Sequence, residues 1–192
     1  MRIGVLTGGG DAPGLNAAIR AIVKRCDKYG FQIVGIKYGW AGMLKPETLE
    51  LRYESIRDTI ADGGTILKTS RTNPLKTPDG VKTVAKTFKE LRLDALIAIG
   101  GDDTLSVAKA LSESGLNVVG VPKTIDNDVS ETDATIGFDT AVNTAMHIIE
   151  RLRDMAESHE RVAVVEIMGR HAGWIALNSG LAAGADLILI PE

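Results

Sequence analysis

Two turns hold most of the residues that could do chemistry. One is Gly100-Gly101-Asp102-Asp103-Thr104 and the other Pro122-Lys123-Thr124-Ile125-Asp126-Asn127-Asp128, each directly after a short apolar run. An aspartate opening a helix is a preferred cap, which accounts for one of these carboxylates. It does not account for two in succession after paired glycines, opposite a second turn carrying Asp126 and Asp128. Those two are two positions apart, so an extended segment points both to one side. Carboxylates gathered at one edge repel each other unless a divalent cation or Lys123 sits among them. The combination is that of a Mg-phosphate site. One carboxylate sits on the metal, one takes a proton from an attacking hydroxyl, and the lysine faces phosphate oxygens.

A glycine turn, Gly8-Gly9-Gly10-Asp11-Ala12-Pro13-Gly14, adds a second place for a phosphate. It runs from an apolar stretch into a helix, where unpaired N–H groups and the helix dipole favour an anion. Pro13 stands where the dinucleotide fingerprint needs glycine, and no Gly-Lys-Ser/Thr follows, so neither nucleotide motif is present. A plain turn and a phosphate cradle both fit. Arg71, Arg161 and Arg170 fall at loop or strand ends. A lone arginine there is usually solvated, but Arg161 and Arg170 flank one apolar segment and could grip a substrate phosphate with two parallel hydrogen bonds.

The elements that must position these residues alternate regularly. Apolar runs at 2–7, 32–36, 97–101, 118–121, 161–167 and 187–190 read as buried strands. Periodic stretches after Gly14 and at 54–62, 81–91, 105–114, 139–158 and 175–183 read as helices. Strand, helix and strand in sequence make right-handed parallel units, so both acidic turns leave the same carboxyl edge of one sheet. The expectation is a doubly wound parallel α/β fold. It has a donor-phosphate lobe over 1–138 and the start of a second lobe at 139–192, as the front part of a longer chain.

Composition sets few other limits. The chain has 192 residues, 44% of them apolar, which is enough for a full core, and a net charge of −3. That balance gives nothing for nucleic acid or a membrane surface to read. Cys26, the single cysteine, lies on an apolar helical stripe and reads as a small buried hydrophobe. With no apolar run of membrane-spanning length and no signal-peptide pattern, a cytoplasmic protein is expected.

At these positions the chain resembles the 6-phosphofructokinase family. The resemblance is carried by the block from Thr7 through Ala17, by Gly100-Gly101-Asp102, by Pro122 with Thr124-Ile125-Asp126-Asn127-Asp128, and by Met168-Gly169-Arg170, all in the family's order. It implies a phosphotransferase in which Asp126 deprotonates the 1-hydroxyl of fructose 6-phosphate, Asp128 supports it, and Asp102 binds Mg2+. Gly9, Gly10, Arg71, Gly101, Asp103 and Thr104 would meet the donor. Thr124 and Ile125 would lie at the transferred group, and Met168, Gly169 and Arg170 would hold the sugar phosphate. Arg161 would reach the sugar phosphate of a neighbouring subunit, implying a homodimer or homotetramer.

Asp103 and Lys123 stand where the ATP-dependent members have glycine and resemble the pyrophosphate-dependent branch. A carboxylate about 4 Å from the α-phosphate of ATP costs about 4 kcal/mol at an effective dielectric near 20. The resemblance therefore implies reversible, glycolytic transfer from pyrophosphate to fructose 6-phosphate. The alternatives are an ATP-dependent 6-phosphofructokinase and a phosphate-binding fragment or subunit without turnover. Arg20 and Arg153 match effector-binding arginines of the family, whereas Lys24 and Tyr53 replace two others.

Overall fold

The computed structural model describes all 192 residues and divides into two compact units, Met1–Lys123 and Thr124–Glu192. The division precedes the Thr124-Asp128 turn, whereas the sequence reading places it at 138.

In the first unit the strands are β1 (Arg2–Thr7), β2 (Gln32–Ile36), β3 (Thr48–Leu51), β4 (Ala95–Gly100) and β5 (Val118–Thr124, whose last residue begins the second unit), in the order β3-β2-β1-β4-β5. The pairings β1 with β2, β1 with β4 and β4 with β5 are parallel, with Val5 opposite both Gly35 and Ile97. The helices are α1 (Leu15–Asp27), α2 (Ala41–Leu44), α3 (Tyr53–Ile56), α4 (Gly80–Glu90) and α5 (Asp102–Glu113). This is the expected α/β fold.

Residues that alternate along a strand pack to opposite faces, and both faces are covered, so the strands read as continuous apolar runs. Ile3, Val5 and Ile99 join Leu15, Ile19, Val23 and Cys26 of α1 in one core cluster. Leu6, Leu96 and Ala98 join Trp40, Met43, Val84, Phe88, Val107 and Leu111 in the other. Burial pushes the Cys26 thiol above its ordinary value, as expected of a packed hydrophobe.

Three parts differ from the sequence reading. The stretch after Tyr38, read as loop, contains α2 and β3; β3 pairs antiparallel to β2 and buries only Leu51, so its composition lacks the apolar run of a central strand. Residues 54–62, read as one helix, split into α3 and a 3-10 turn, Thr59–Ala61. Residues 161–167 and 187–190 are not strands. They lie outside any ladder, with Val162 and Val164 92% and 93% exposed. An apolar run marks a wish for burial, and becomes a strand only where a neighbour supplies hydrogen bonds.

The second unit consists of a two-residue strand β6 (Ile136–Gly137), α6 (Phe138–Ser158) and α7 (Trp174–Ala183), the two helices packed together. No helix in the chain is long and apolar enough to cross a membrane.

Candidate active site

In the first unit the candidate site residues collect at the carboxyl ends of β1 and β4. β1 ends in Thr7 and hands over to the glycine turn. Gly8 N–H donates to Ile99 O at 2.9 Å and Gly9 N–H to Ser70 O at 3.0 Å, so neither is left over for a phosphate. The unpaired N–H groups that could receive an anion begin beyond Gly9, toward the start of α1. Gly9 itself has φ +84, a left-handed conformation natural to glycine.

The loop bearing Arg71 is stitched to this turn. Thr7 Oγ1 donates to Lys68 O at 2.9 Å, and Thr69 Oγ1 donates to Gly9 O at 2.7 Å. Ser70 Oγ donates to Tyr38 O at 2.7 Å. These bonds fix the backbone of 68–70, and Arg71 follows with an exposed side chain. Thr104, in the first turn of α5, is buried beside Gly8 and Gly100; a Cβ on Gly8 would stand 2.5 Å from Thr104 Oγ1. The two turns thus close on each other with the threonine between them, which is why glycine occupies both approaches.

Lys123 reaches beneath the glycine turn. Its side chain is buried, and its Nζ donates to Gly8 O at 3.2 Å and Gly10 O at 2.5 Å. The ammonium is held by the carbonyls on the inner side of the turn, so its positive charge lies under the backbone. Asp102 and Asp103 open α5 after Gly101, both exposed. Asp103 Oδ1 accepts from Asn73 Nδ2 at 2.8 Å and lies 3.4 Å from Lys76 Nζ.

No group of three or more His, Cys, Asp or Glu side chains is placed to hold a metal by itself. A divalent cation that arrives with a phosphate ligand would need only one carboxylate from the chain. The exposed carboxylate of Asp102 at a helix start is suited to be that single ligand.

In the second unit, the turn carrying Asp126 and Asp128 is built on a hydrogen-bonded frame. Buried Thr135 donates its N–H to Asn127 Oδ1 at 2.9 Å and its Oγ1 to Thr124 O at 2.7 Å, while Thr124 Oγ1 accepts from Asp126 N–H at 3.2 Å. Asn127 has φ +53, a left-handed residue that asparagine tolerates. The segment is therefore bent and not extended, and the alternation that would put Asp126 and Asp128 on one side does not apply. Ile125 and Asp126 are half-buried and Asp128 is exposed.

Met168, Gly169 and Arg170 form a tight turn before α7, closed by Ala172 N–H donating to Gly169 O at 2.9 Å. Arg170 is exposed and left-handed at φ +56. Arg161 lies at the other end of the extended segment, lining a cleft of about 430 Å³ shared with Leu152, Val162 and Leu187.

Sequence reasoning passed over Asn73, Lys76 and Thr135. Asn73 carried a signal, since an asparagine directly before a proline is a typical helix cap. Thr135 carried none, because its bonding depends on how the loop folds back.

Comparison with known proteins joins these observations. The model of the family described as Phosphofructokinase matches residues 2–192. A pyrophosphate--fructose 6-phosphate 1-phosphotransferase of Dictyoglomus thermophilum is 62% identical over all of this chain and 56% of its own length. From Streptomyces coelicolor, a protein of the same name is 57% identical and an ATP-dependent 6-phosphofructokinase 3 is 53% identical, each over all of this chain and 57% of its own length. The chain thus spans a little over half the length of these relatives. Among solved structures, phosphofructokinase from Saccharomyces cerevisiae superposes with a TM-score of 0.87 at 36% identity, over 96% of this chain and 28% of that one. Pyrophosphate-dependent phosphofructokinase from Marinobacter aquaeolei gives 0.78 at 26%, over 95% and 50%. With a family model matched from residue 2 to residue 192 and relatives more than half identical over its whole length, the chain belongs to the phosphofructokinase family.

Proposed function

We propose that the protein containing this chain transfers a phosphoryl group from pyrophosphate to the 1-hydroxyl of fructose 6-phosphate, giving fructose 1,6-bisphosphate and inorganic phosphate. Asp126 takes the hydroxyl proton, the freed oxygen forms a bond to phosphorus, and the bridging P–O bond breaks. Gly10 and Arg71, with Gly9, Gly101 and Thr104 shaping the approach, receive the donor; Lys123 supplies positive charge under the turn. Thr124 and Ile125 flank the transferred group and Asp128 supports Asp126. Met168, Gly169 and Arg170 hold the sugar phosphate, and Arg161 serves the neighbouring subunit of a homodimer or homotetramer. Mg2+ on Asp102 would neutralise charge on the donor oxygens. The protein works in the cytoplasm.

The feature that supports the choice of donor is Asp103, an exposed carboxylate in the first turn of α5 at the position where the resemblance gives the ATP-dependent members glycine. The relatives named for pyrophosphate support the same choice. A second reading, ATP as donor, draws on relatives of nearly equal identity that are named ATP-dependent. Calorimetric titration with Mg-pyrophosphate and Mg-ATP separates the two. The native protein should bind pyrophosphate tightly and ATP weakly, and Asp103→Gly should raise ATP affinity more than about tenfold by removing a repulsion that solvent at this exposed carboxylate partly screens. Equal or tighter ATP binding by the native protein would overturn the pyrophosphate reading.

A further inference from the structure

The carboxylate of Asp103 is tethered. Asn73 Nδ2 donates to Asp103 Oδ1 at 2.8 Å, and Lys76 Nζ stands 3.4 Å from the same oxygen. The Asn73 amide is itself fixed. Its Oδ1 accepts the Leu75 N–H at 2.9 Å and caps the 3-10 turn Pro74–Lys76, which begins with a proline of preset φ. With the oxygen end committed to the cap, the NH2 end faces Asp103. The same loop carries Arg71 two residues earlier and is stitched to the glycine turn through Thr69 and Ser70. One frame therefore holds the Asp103 carboxylate, the Arg71 backbone and the turn.

From this geometry we infer that Asn73 is a positioning residue for donor selection, an inference that rests on the pyrophosphate reading. A carboxylate free to rotate swings away from an approaching anion and is screened by water. A tethered one keeps its charge in place and repels more strongly. Lys76 tempers that charge without cancelling it, because the pair is exposed, with Lys76 74% and Asp103 72% accessible, and an exposed pair is weakly coupled. Asn73 thus makes Asp103 a fixed barrier to the α-phosphate of a nucleotide.

The cap and the tether can be separated. Asn73→Ser keeps an oxygen acceptor for the Leu75 N–H and removes the amide donor to Asp103. Affinities for Mg-pyrophosphate and Mg-ATP would be measured by calorimetry on the full chain as native protein, Asn73→Ser, Asp103→Gly and the double variant, with melting temperatures alongside. The ratio of pyrophosphate to ATP affinity should fall about three- to tenfold in Asn73→Ser with the melting temperature unchanged. It should fall further in Asp103→Gly, and Asn73→Ser should add nothing once Asp103 is gone. If Asp103→Gly shifts the ratio and Asn73→Ser does not, or does so equally without Asp103, the positioning role is wrong and the donor reading stands. If both affinities fall together with the melting temperature, Asn73 is a structural cap only. If Asp103→Gly leaves the ratio untouched, the donor reading fails and the inference fails with it.

Discussion

Lys123 places its ammonium under the backbone of the glycine turn, with Nζ against Gly8 O and Gly10 O. Burying an ammonium is costly unless it is hydrogen-bonded, and here two carbonyls of the turn accept from it. The reason to keep it lies in the field it projects through the turn. A positive charge placed behind a bound phosphate attracts it through the intervening backbone, and an attraction of about 2 kcal/mol is about thirtyfold in affinity. Lys123→Met leaves Gly8 O and Gly10 O without their donor and is expected to lower the unfolding free energy by about 1–3 kcal/mol. It should weaken pyrophosphate binding by about thirtyfold, as read by urea titration and calorimetry. A collapsed melting transition with unchanged affinity would make Lys123 a structural strut instead. Arg20, by contrast, is committed within the first unit, donating to Tyr53 OH and Arg57 O at 2.9 Å each and lying over the Tyr53 ring. The tyrosine thus takes up an arginine that the family resemblance assigns to an effector site.

The element scale shows which parts of the architecture were legible and why. Parallel strands buried on both faces leave plain apolar runs, and each of the longer helices begins at a glycine or aspartate, so β1, β2, β4, β5 and α1, α4, α5, α6 and α7 could be read off the chain. α2 and β3 could not. One is a single turn containing Gly42, and the other is an edge strand with three of its four residues exposed. The site was legible where a residue type is rare at its position, as with Asp103 after paired glycines. It was illegible where a common residue acts through folding, as with Thr135, and at Asn73 only the cap was legible and not the amide's reach to Asp103. Gly39 belongs to this second group, lying in a stretch read only as loop. At φ +59, a Cβ there would stand 2.8 Å from Thr7 O, in the backbone that leads into the glycine turn. A side-chain neighbour could rotate aside, but a carbonyl at the end of a central strand cannot. Gly39→Ala should therefore destabilise the first unit by about 2 kcal/mol, combining left-handed strain with the shift forced on Thr7. Thermal unfolding monitored by far-UV circular dichroism would register it, and an unchanged midpoint would mean that the loop relaxes freely.

At the scale of the whole molecule, the second unit leaves a large apolar surface uncovered. Val162 and Val164 are almost fully exposed, and Leu187 and Leu189 are 75% and 80% exposed. Together with Ile149 and Leu152 of α6 they line the open cleft beside Arg161. Single exposed apolar residues are ordinary, whereas a contiguous set on two extended segments is a surface that water disfavours and that other apolar groups will cover. A net charge of −3 offers little repulsion against association. The 192-residue chain studied by itself should therefore enhance the fluorescence of a hydrophobic dye such as ANS at neutral pH. It should also elute earlier from a sizing column as its concentration rises. Replacing Val162 and Val164 together by threonine keeps their shape and exchanges one methyl of each for a hydroxyl. The dye signal should fall by about half, since two of the principal exposed apolar side chains are removed, while the far-UV spectrum is unchanged. A native chain that is silent to the dye and monodisperse at high concentration would mean that these side chains fold inward in solution. Residues 161–167 and 187–190 would then be packed as the strands that their composition suggests.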